Sequence, residues 1–212
     1  MLEIEYKGAN SIVVNTKRAT LVFDPRVSLA GLRDIAVKGV VQIVTEYRFA
    51  VEGGGPKVLI DGPGEYEVGD VSIKGIPAQR HIDTEDTEKL ATIYRLETND
   101  VRIAVLGNIA PKLAESQLEA LGVVDILILP VGGGGYTLDA TSAVGIVRQI
   151  EPRVVIPVHF AEDGVMYEVP QDTIDVFIKE LNVQGESVAK YKLKSASALP
   201  ESLAALHIAR TA

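Results

Sequence analysis

The sequence predicts an α/β (α+β) protein in which two mixed β-sheets are flanked by helices. The first hundred residues form one short apolar run after another, separated by turn-forming residues, which is typical of antiparallel strands. From Pro111 onward, apolar residues at helical spacing alternate with continuous apolar runs, which is typical of parallel strand–helix–strand units. Two mixed sheets covered on the outside by helices are the simplest arrangement that buries both kinds of segment.

The first half of the chain is predicted to supply the antiparallel strands. Single strands are predicted in the segments LEIEYK, NSIVVNT, ATLVFD, GVVQIVTEY and KVLIDG. Two hairpins follow, because EYEVGDVSIKGIPA contains the turn-forming pair Gly69-Asp70, and Asn99-Asp100 separates LATIYRLET from VRIAVLG.

The second half is predicted to alternate helices with buried strands. The helix LAESQLEAL is opened by Pro111 and closed by Gly122. The other segments follow in the order strand VVDILILP, helix ATSAVGIVRQI, strand RVVIPVHF, helix DTIDVFIKEL, strand VAKYKLK and terminal helix PESLAALHIAR. No linker interrupts the pattern, so we expect one domain over residues 1–212, with about residues 195–212 as a C-terminal helical extension.

Composition excludes several functional classes. The absence of cysteine removes disulfides, thiolate nucleophiles and cysteine-based metal sites. Lysines and arginines are scattered singly in a chain of net charge −8, which argues against nucleic acid as the main ligand. No apolar run approaches the roughly 20 residues that cross a bilayer, and the start MLEIEYKG lacks the pattern of a signal peptide. We therefore expect a soluble, cytoplasmic protein without membrane contact.

Two stretches of the sequence carry a family resemblance. GANSIVVNTKRATLVFDP places Gly8-Ala9-Asn10 before two strands that end in Asp24-Pro25, and DILILPVGGGGYTLDA precedes the strand RVVIPVHF. In this order the motifs resemble the metallo-β-lactamase-fold superfamily, in the branch that includes L-ascorbate-6-phosphate lactonase. The resemblance spans roughly residues 1–165 and implies a four-layer αββα sandwich with a site at the strand ends between the sheets. It also implies that His159 stands at the position of the last metal-binding histidine.

The other metal ligands that the resemblance implies are changed in this sequence. The family has Thr-His-x-His-x-Asp-His after a strand, whereas residues 45–51 read TEYRFAV. Glu46 stands at the first ligand position, and Arg48 places a permanent positive charge at the second. The family's His-x-Gly-Asp corresponds to residues 105–108, VLGN, so the neutral amide of Asn108 replaces a carboxylate that would bridge two metal ions. If Arg48 replaces a metal, it should lie in the cleft near Glu46.

Two histidines remain near the implied site. His159 follows a buried strand and is interpreted as a hydrogen-bonded residue at the strand end, a ligand contact or a metal ligand. His81 stands where relatives often carry another histidine, although it also precedes an acidic segment and is interpreted as a solvated side chain. Two histidines without a carboxylate do not form the usual catalytic zinc site of three protein ligands and water.

Two further segments have competing interpretations. The run Gly132 to Gly135 lacks the Gly-Lys-Ser/Thr ending of a phosphate-binding loop, so a plain strand-to-helix loop competes with an anion site made of amide N–H groups before Thr137. The acidic run from Asp83 to Glu88 is interpreted as a solvated loop with, at most, weak cation binding.

These observations predict a degenerate member of the fold that has lost its metal cluster and acts as a non-catalytic binding or assembly protein. No cofactor is expected, and a small anionic ligand is expected in a vestigial pocket formed by Glu46, Arg48, His81, Asn108 and His159. The alternative is a metal-dependent hydrolase of the lactonase or phosphoester type, with zinc or manganese in a reduced site around His81 and His159. A third possibility is a scaffold that pairs with itself or with an active paralogue.

A homo-oligomer is also predicted. Members of the resembled branch assemble into oligomers, and the predicted terminal helix has an apolar stripe that needs a partner surface. The stripe consists of Leu199, Leu203, Leu206 and Ile208.

Overall fold

The computed structural model describes residues 1–83 and 90–211, which form two β-sheets and three α-helices. In chain order the elements are β1 (Leu2–Gly8), β2 (Ser11–Asn15), β3 (Thr20–Phe23), β4 (Val41–Ile43), β5 (Val58–Ile60), β6 (Gly64–Val68), β7 (Val71–Ala78), β8 (Ala91–Thr98), β9 (Val101–Val105), α1 (Glu115–Leu121), β10 (Ile126–Pro130), α2 (Ala140–Ile150), β11 (Val154–Val158), α3 (Ile174–Leu181), β12 (Gly185–Val188), β13 (Tyr191–Leu193) and β14 (Ala204–Ile208). Short 3-10 helices lie at Val27–Ala30, Tyr47–Phe49 and Ala196–Ala198.

Both sheets are mixed, as predicted. The six-stranded sheet has the order β13-β1-β2-β3-β4-β5, and its last two pairings, β3 with β4 and β4 with β5, are parallel. The eight-stranded sheet has the order β12-β14-β11-β10-β9-β8-β7-β6 and is parallel from β12 to β9 and antiparallel beyond. The predicted α/β arrangement of two mixed sheets flanked by helices is therefore confirmed.

The predicted hairpins form at their predicted turns. Asn99 and Asp100 both have positive φ, 49° and 60°, which is the backbone that a two-residue turn between twisted antiparallel strands requires. Gly69 has φ 67° and turns the chain between β6 and β7. These short-range signals fix the antiparallel half of the eight-stranded sheet.

The core lies between the two sheets. β1 shows strict alternation of buried and half-buried residues, so one face of the six-stranded sheet packs inward. Phe23 of that sheet meets Tyr94 of the other in an edge-to-face contact with ring centroids 6.1 Å apart. β10 and β11 are buried along their whole length, since the helices cover their outer side.

All three α-helices lie in connections of the eight-stranded sheet. α1 joins β9 to β10, α2 joins β10 to β11, and α3 joins β11 to β12. The right-handedness of such crossovers places them on one face, and α2 packs on α3 and β10. On the outside of the six-stranded sheet, Val13 and Val22 pack instead against Val37 and other apolar residues of irregular segments. Irregular chain thus forms the fourth layer.

Two predictions for the end of the chain are wrong. The segment PESLAALHIAR contains strand β14 and not a helix, and β14 pairs in parallel with both β11 and β12. Backbone pairing on two sides and burial override the helix propensity of alanine and leucine. The segment VAKYKLK supplies parts of two strands, because the chain leaves the eight-stranded sheet after β12 and enters the six-stranded sheet at β13.

The apolar stripe of the terminal segment is buried inside the chain itself. Leu199 is 6% exposed, Leu206 5% and Ile208 1%, and all three belong to the main core. The stripe therefore no longer gives a reason for self-association, and the homo-oligomer stays a prediction. The single domain over residues 1–212 also stays a prediction. Across residues 1–83 and 90–211, every helix is too short or too polar to span a bilayer.

Candidate functional site

Four chain segments meet at one edge between the sheets. The β1–β2 turn brings Ala9 and Asn10, the residue after β3 is Asp24, the chain after β4 holds Thr45 to Phe49, and the residue after β11 is His159. β3 and β4 are parallel, so their carboxyl ends reach the same edge, where ligand sites commonly lie in α/β proteins. A cleft opens there with about 480 Å³ of free space, including the part open to solvent.

Backbone strain is concentrated in this cleft. Ala9, Asp24 and His159 line it with φ of 49°, 45° and 52°. The other described non-glycine residues with positive φ lie in the Asn99-Asp100 turn or cap the ends of α2 and α3. Residues held in this region cost about 1–3 kcal/mol each and occur preferentially at functional sites.

His159 is buried between two tyrosines. It is 5% exposed, and its ring centroid lies 6.0 Å from that of Tyr136 and 4.5 Å from that of Tyr167. Its backbone N–H donates to the carbonyl of Ala9 at 2.8 Å, which joins the two sheets at this point. Burial, with a smaller contribution from the charge of Arg48, lowers the pKa of the imidazole to about 3. The ring is therefore neutral at physiological pH, and neither ring nitrogen has a hydrogen-bond partner among the described residues.

Arg48 lies where the prediction placed it. Its guanidinium carbon is 4.7 Å from the ring centroid of Phe49 and 4.9 Å from that of Tyr136, so two aromatic faces hold the group in place. Its Nε is 3.8 Å from a carboxylate oxygen of Glu46, and this nitrogen has no hydrogen-bond partner in the part of the chain described. The expectation that Arg48 lies in the cleft near Glu46 is confirmed.

Glu46 is buried between two arginines. It is 5% exposed, and Arg80 approaches its carboxylate at 3.9 Å while binding Asp83 at 2.7 Å. Burial raises the pKa of Glu46, and the charges of Arg48 and Arg80 and contact with Asn108 oppose that rise. Asp83 belongs to the predicted acidic run, whose other members, residues 84–88, lie outside the described residues.

Asp24 anchors the segment that bears these charges. Its two carboxylate oxygens accept from the backbone N–H and the hydroxyl of Thr45, both at 2.7 Å. Burial raises the pKa of Asp24 to about 7, although the bonds from Thr45 oppose the rise. A side chain at Gly107 would overlap the Thr45 hydroxyl, so glycine is needed for this close approach.

Asn108 and His81 differ in their relation to the site. Asn108 is 2% exposed and shares a small recess with Glu46 and Tyr136, next to the cleft, and its amide atoms have no hydrogen-bond partner among the described residues. His81 donates its backbone N–H to the carbonyl of Asn108 at 2.8 Å, but its side chain lines neither cavity. The structure thus groups four of the five predicted residues around Tyr136, and their role in binding stays a prediction.

Several residues of the site were not singled out from the sequence. Tyr136 and Tyr167 lie in irregular segments without periodicity, and Arg80 is brought to Glu46 from the end of β7. Asn10 carried a signal, because it belongs to the motif Gly8-Ala9-Asn10 of the family resemblance.

The glycine run is a packing element. A side chain at Gly132 would overlap the carbonyl oxygen of His159, and one at Gly134 would overlap that of Pro170. The backbone N–H groups of Tyr136 and Thr137 donate to the carbonyl of Gly133 within the run itself. This geometry favours a plain loop over an anion site.

The residues of the cleft do not fit a catalytic metal ion. Across the described parts of the chain, three or more His, Asp or Glu side chains do not converge in a geometry that would hold a metal. Both oxygens of Asp24 already accept hydrogen bonds from Thr45, and Arg48 places a fixed cation beside His159. A divalent ion at His159 would be repelled by this charge.

Sequence comparison identifies the family. The profile of the β-lactamase superfamily domain matches residues 3–159. A UPF0173 protein of Pyrococcus abyssi is 31% identical over 144 residues, 65% of this chain and 64% of that protein. A UPF0173 protein of Pyrococcus furiosus is 31% identical over 117 residues, 55% of this chain and 51% of that protein. The chain therefore spans less than two thirds of either relative. The finer resemblance to the lactonase branch stays a prediction.

Solved structures share the fold. A proposed Zn-dependent hydrolase of the metallo-β-lactamase superfamily from Thermotoga maritima superposes with a TM-score of 0.78 at 21% identity, covering 99% of this chain and 100% of that one. A metallo hydrolase from Ignicoccus hospitalis superposes with a TM-score of 0.66 at 15% identity, covering 99% of this chain and 95% of that one. At these identities the likeness concerns the fold alone.

Proposed function

The chain belongs to the β-lactamase superfamily, and from that premise we propose that it is a metal-independent, non-catalytic binding protein whose cleft holds a small anionic ligand. The anion takes its counter-charge from Arg48, which stands at a metal-ligand position of the resembled family. Glu46, Asn108 and His159 complete the polar surroundings of this cation.

The position of Arg48 is the observation that carries this proposal. Two aromatic rings hold its guanidinium at the cleft, and the 3.8 Å separation from Glu46 is too long for a hydrogen bond. Its N–H groups are therefore available for a carboxylate or phosphate, which a guanidinium binds with two parallel hydrogen bonds. Arg26 also lines the cleft and adds a second positive charge, while Glu168 contributes a carboxylate to the same lining.

The alternative of a reduced hydrolase site has less support from the geometry. It needs His81 and His159 to share a metal ion, but the His81 side chain does not line the cleft that contains His159. The hydrolase descriptions of the structural neighbours concern those proteins, and one fold supports many functions.

Binding of acetate and inorganic phosphate to untagged protein tests the proposal by calorimetry. A charge-assisted hydrogen bond contributes about 1.5–3 kcal/mol, so Arg48→Met should weaken anion binding by about 10- to 150-fold. Arg48→Lys keeps the positive charge but cannot form two parallel hydrogen bonds. Its anion affinity should lie between those of the unaltered protein and Arg48→Met. Arg148→Met removes one positive charge from the exposed side of α2 and is the matched control.

Two results would contradict the proposal. One is equal anion affinity in Arg48→Met and Arg148→Met. The other is about one zinc or manganese ion per chain by elemental analysis, together with hydrolysis of a lactone or phosphoester that is lost in His159→Ala. This second result would establish the reduced hydrolase site.

A further inference from the structure

We propose, building on that function, that the ligand is a small hydroxylated carboxylate. Its carboxylate binds Arg48, and its hydroxyl group binds Asn10 and His159 on the floor of the cleft. The proposal names the chemical class of the anion and assigns a recognition role to Asn10.

Asn10 and His159 line the same cleft, and both are buried and unpaired. Asn10 is 4% exposed and His159 5%, and both line the cleft. The hydrogen bond from the His159 backbone to Ala9, the neighbour of Asn10, fixes their separation. Both side-chain atoms of Asn10 and both ring nitrogens of His159 have no hydrogen-bond partner among the described residues.

This floor offers donors and acceptors together. The amide of Asn10 has a donor nitrogen and an acceptor oxygen, and a neutral imidazole has one donor and one acceptor nitrogen. An unpaired buried polar group costs about 1–3 kcal/mol, so a ligand that pairs these atoms gains that amount in binding. A hydroxyl group both donates and accepts, and it is the smallest organic group that satisfies both kinds of partner.

The charges direct the two ends of the ligand differently. Asn10 and His159 present unpaired donors and acceptors in the cleft, whereas the fixed positive charge is carried by Arg48. Both oxygens of Asp24, the carboxylate beside the floor, are bound by Thr45. The anionic end therefore lies at Arg48, while the hydroxyl group lies at Asn10 and His159.

The walls limit the ligand to a short hydrocarbon frame. Tyr136 and Tyr167 flank His159 closely, so little width remains beside the imidazole. The rest of the lining includes the apolar side chains of Val27, Leu29, Ala30, Phe49 and Val169, and the polar side chains of Glu168 and Gln171. A frame of a few carbon atoms matches the apolar part of this lining, because it places no polar group against those side chains.

Calorimetry with five small probes tests the inference on the unaltered protein. The probes are propionate, lactate, pyruvate, 1,2-propanediol and inorganic phosphate, at up to millimolar concentration. Lactate should bind about 2- to 13-fold more tightly than propionate, since a net hydrogen bond contributes about 0.5–1.5 kcal/mol. Pyruvate should bind less tightly than lactate, because a keto oxygen accepts hydrogen bonds but cannot donate one. Propanediol should not bind, because it lacks the carboxylate.

Two amide-to-leucine variants locate the effect. Asn10→Leu should abolish the preference for lactate over propionate. Gln42→Leu is the matched control, because Gln42 is 0% exposed with an equally unpaired amide but does not line the cleft. It should preserve the preference for lactate. Circular dichroism checks that both variants are folded, and the probe comparison on the unaltered protein does not depend on either.

The outcomes separate this inference from the proposed function. Equal binding of propionate and lactate, or tighter binding of pyruvate or phosphate, would overturn the inference and leave anion binding intact. Binding of propanediol as tightly as lactate would overturn the anionic ligand itself. Failure of all five probes to bind would overturn both.

Discussion

Replacing His159 by glutamine should change the sign of the pH dependence of stability in mild acid. The pKa of His159 is about 3 in the folded chain, because burial and then Arg48 oppose its protonation, against 6.5 for an ordinary histidine. Between these two values the unfolded chain binds a proton that the folded chain does not. The stability that neutral His159 contributes is therefore fully present above pH 6.5 and is lost as the pH falls toward 3.

The size of this loss follows from the shift in pKa. Each pKa unit corresponds to 1.36 kcal/mol, so the loss is about 4 kcal/mol at pH 3 and about 3 kcal/mol at pH 4. Asp24 acts in the opposite direction, because its pKa is raised from 3.8 to about 7 by burial. The folded chain holds that proton between pH 3.8 and 7, so the contribution of Asp24 decreases as the pH rises through this range. In the unaltered protein the two slopes offset each other between about pH 4 and 6.5.

Urea unfolding followed by circular dichroism at pH 4, 5, 6 and 7 separates the two residues. In His159→Gln the free energy of unfolding should fall as the pH rises, because the raised pKa values of Asp24 and Glu46 are no longer offset by His159. In Asp24→Asn it should rise over the same range, because the larger opposing contribution to His159 has been removed. Identical pH slopes in His159→Gln and in the unaltered protein would refute the buried, neutral state of His159.

Further predictions concern the anchor, the glycine loop and the end of the chain. Thr45→Val removes the hydroxyl that bonds Asp24 and should lower the free energy of unfolding by about 1–3 kcal/mol in urea titrations, whereas an unchanged midpoint would deny Asp24 its anchoring role. Gly132→Ala places a methyl group against the carbonyl of His159 and should cost about 1–3 kcal/mol, and a fully stable variant would show that the loop can yield. Deleting residues 197–212 removes β14 and should abolish the cooperative thermal transition; a folded deletion variant would contradict the position of this strand. Light scattering of the full chain should give the mass of a dimer or larger species if the predicted homo-oligomer exists, and a monomer mass at micromolar concentration would exclude it.

Sequence patterns predicted the elements whose signals are local. Short apolar runs bounded by turn-forming residues identified β1 and β2, and turn chemistry identified the Asn99-Asp100 hairpin. The terminal strand β14 could not be found this way, because its pairing with β11 depends on a space in the sheet created by residues about fifty positions earlier. Composition alone could not decide between helix and strand in an alanine- and leucine-rich segment.

The candidate site was predictable only where a motif marked it. Glu46, Arg48, Asn108 and His159 were found because they occupy positions of a known pattern, and the structure groups them around Tyr136. The stacking of Tyr136 and Tyr167 on His159 depends on how distant loops pack, which no local pattern encodes. The sequence also could not reveal that Asn10 is unpaired or that two arginines approach Glu46, because both features depend on contacts between segments that are distant in sequence.

The position of β14 also bears on how the protein forms during synthesis. This strand is made after every other strand, yet it is inserted between β12 and β11 in the finished sheet. Until the ribosome has released residues 204–208, the edge of β11 that leads to His159 has no neighbour and exposes unpaired backbone groups. This edge of β11 can therefore close only after β14 has been translated, and an unpaired edge of this kind favours aggregation until it closes.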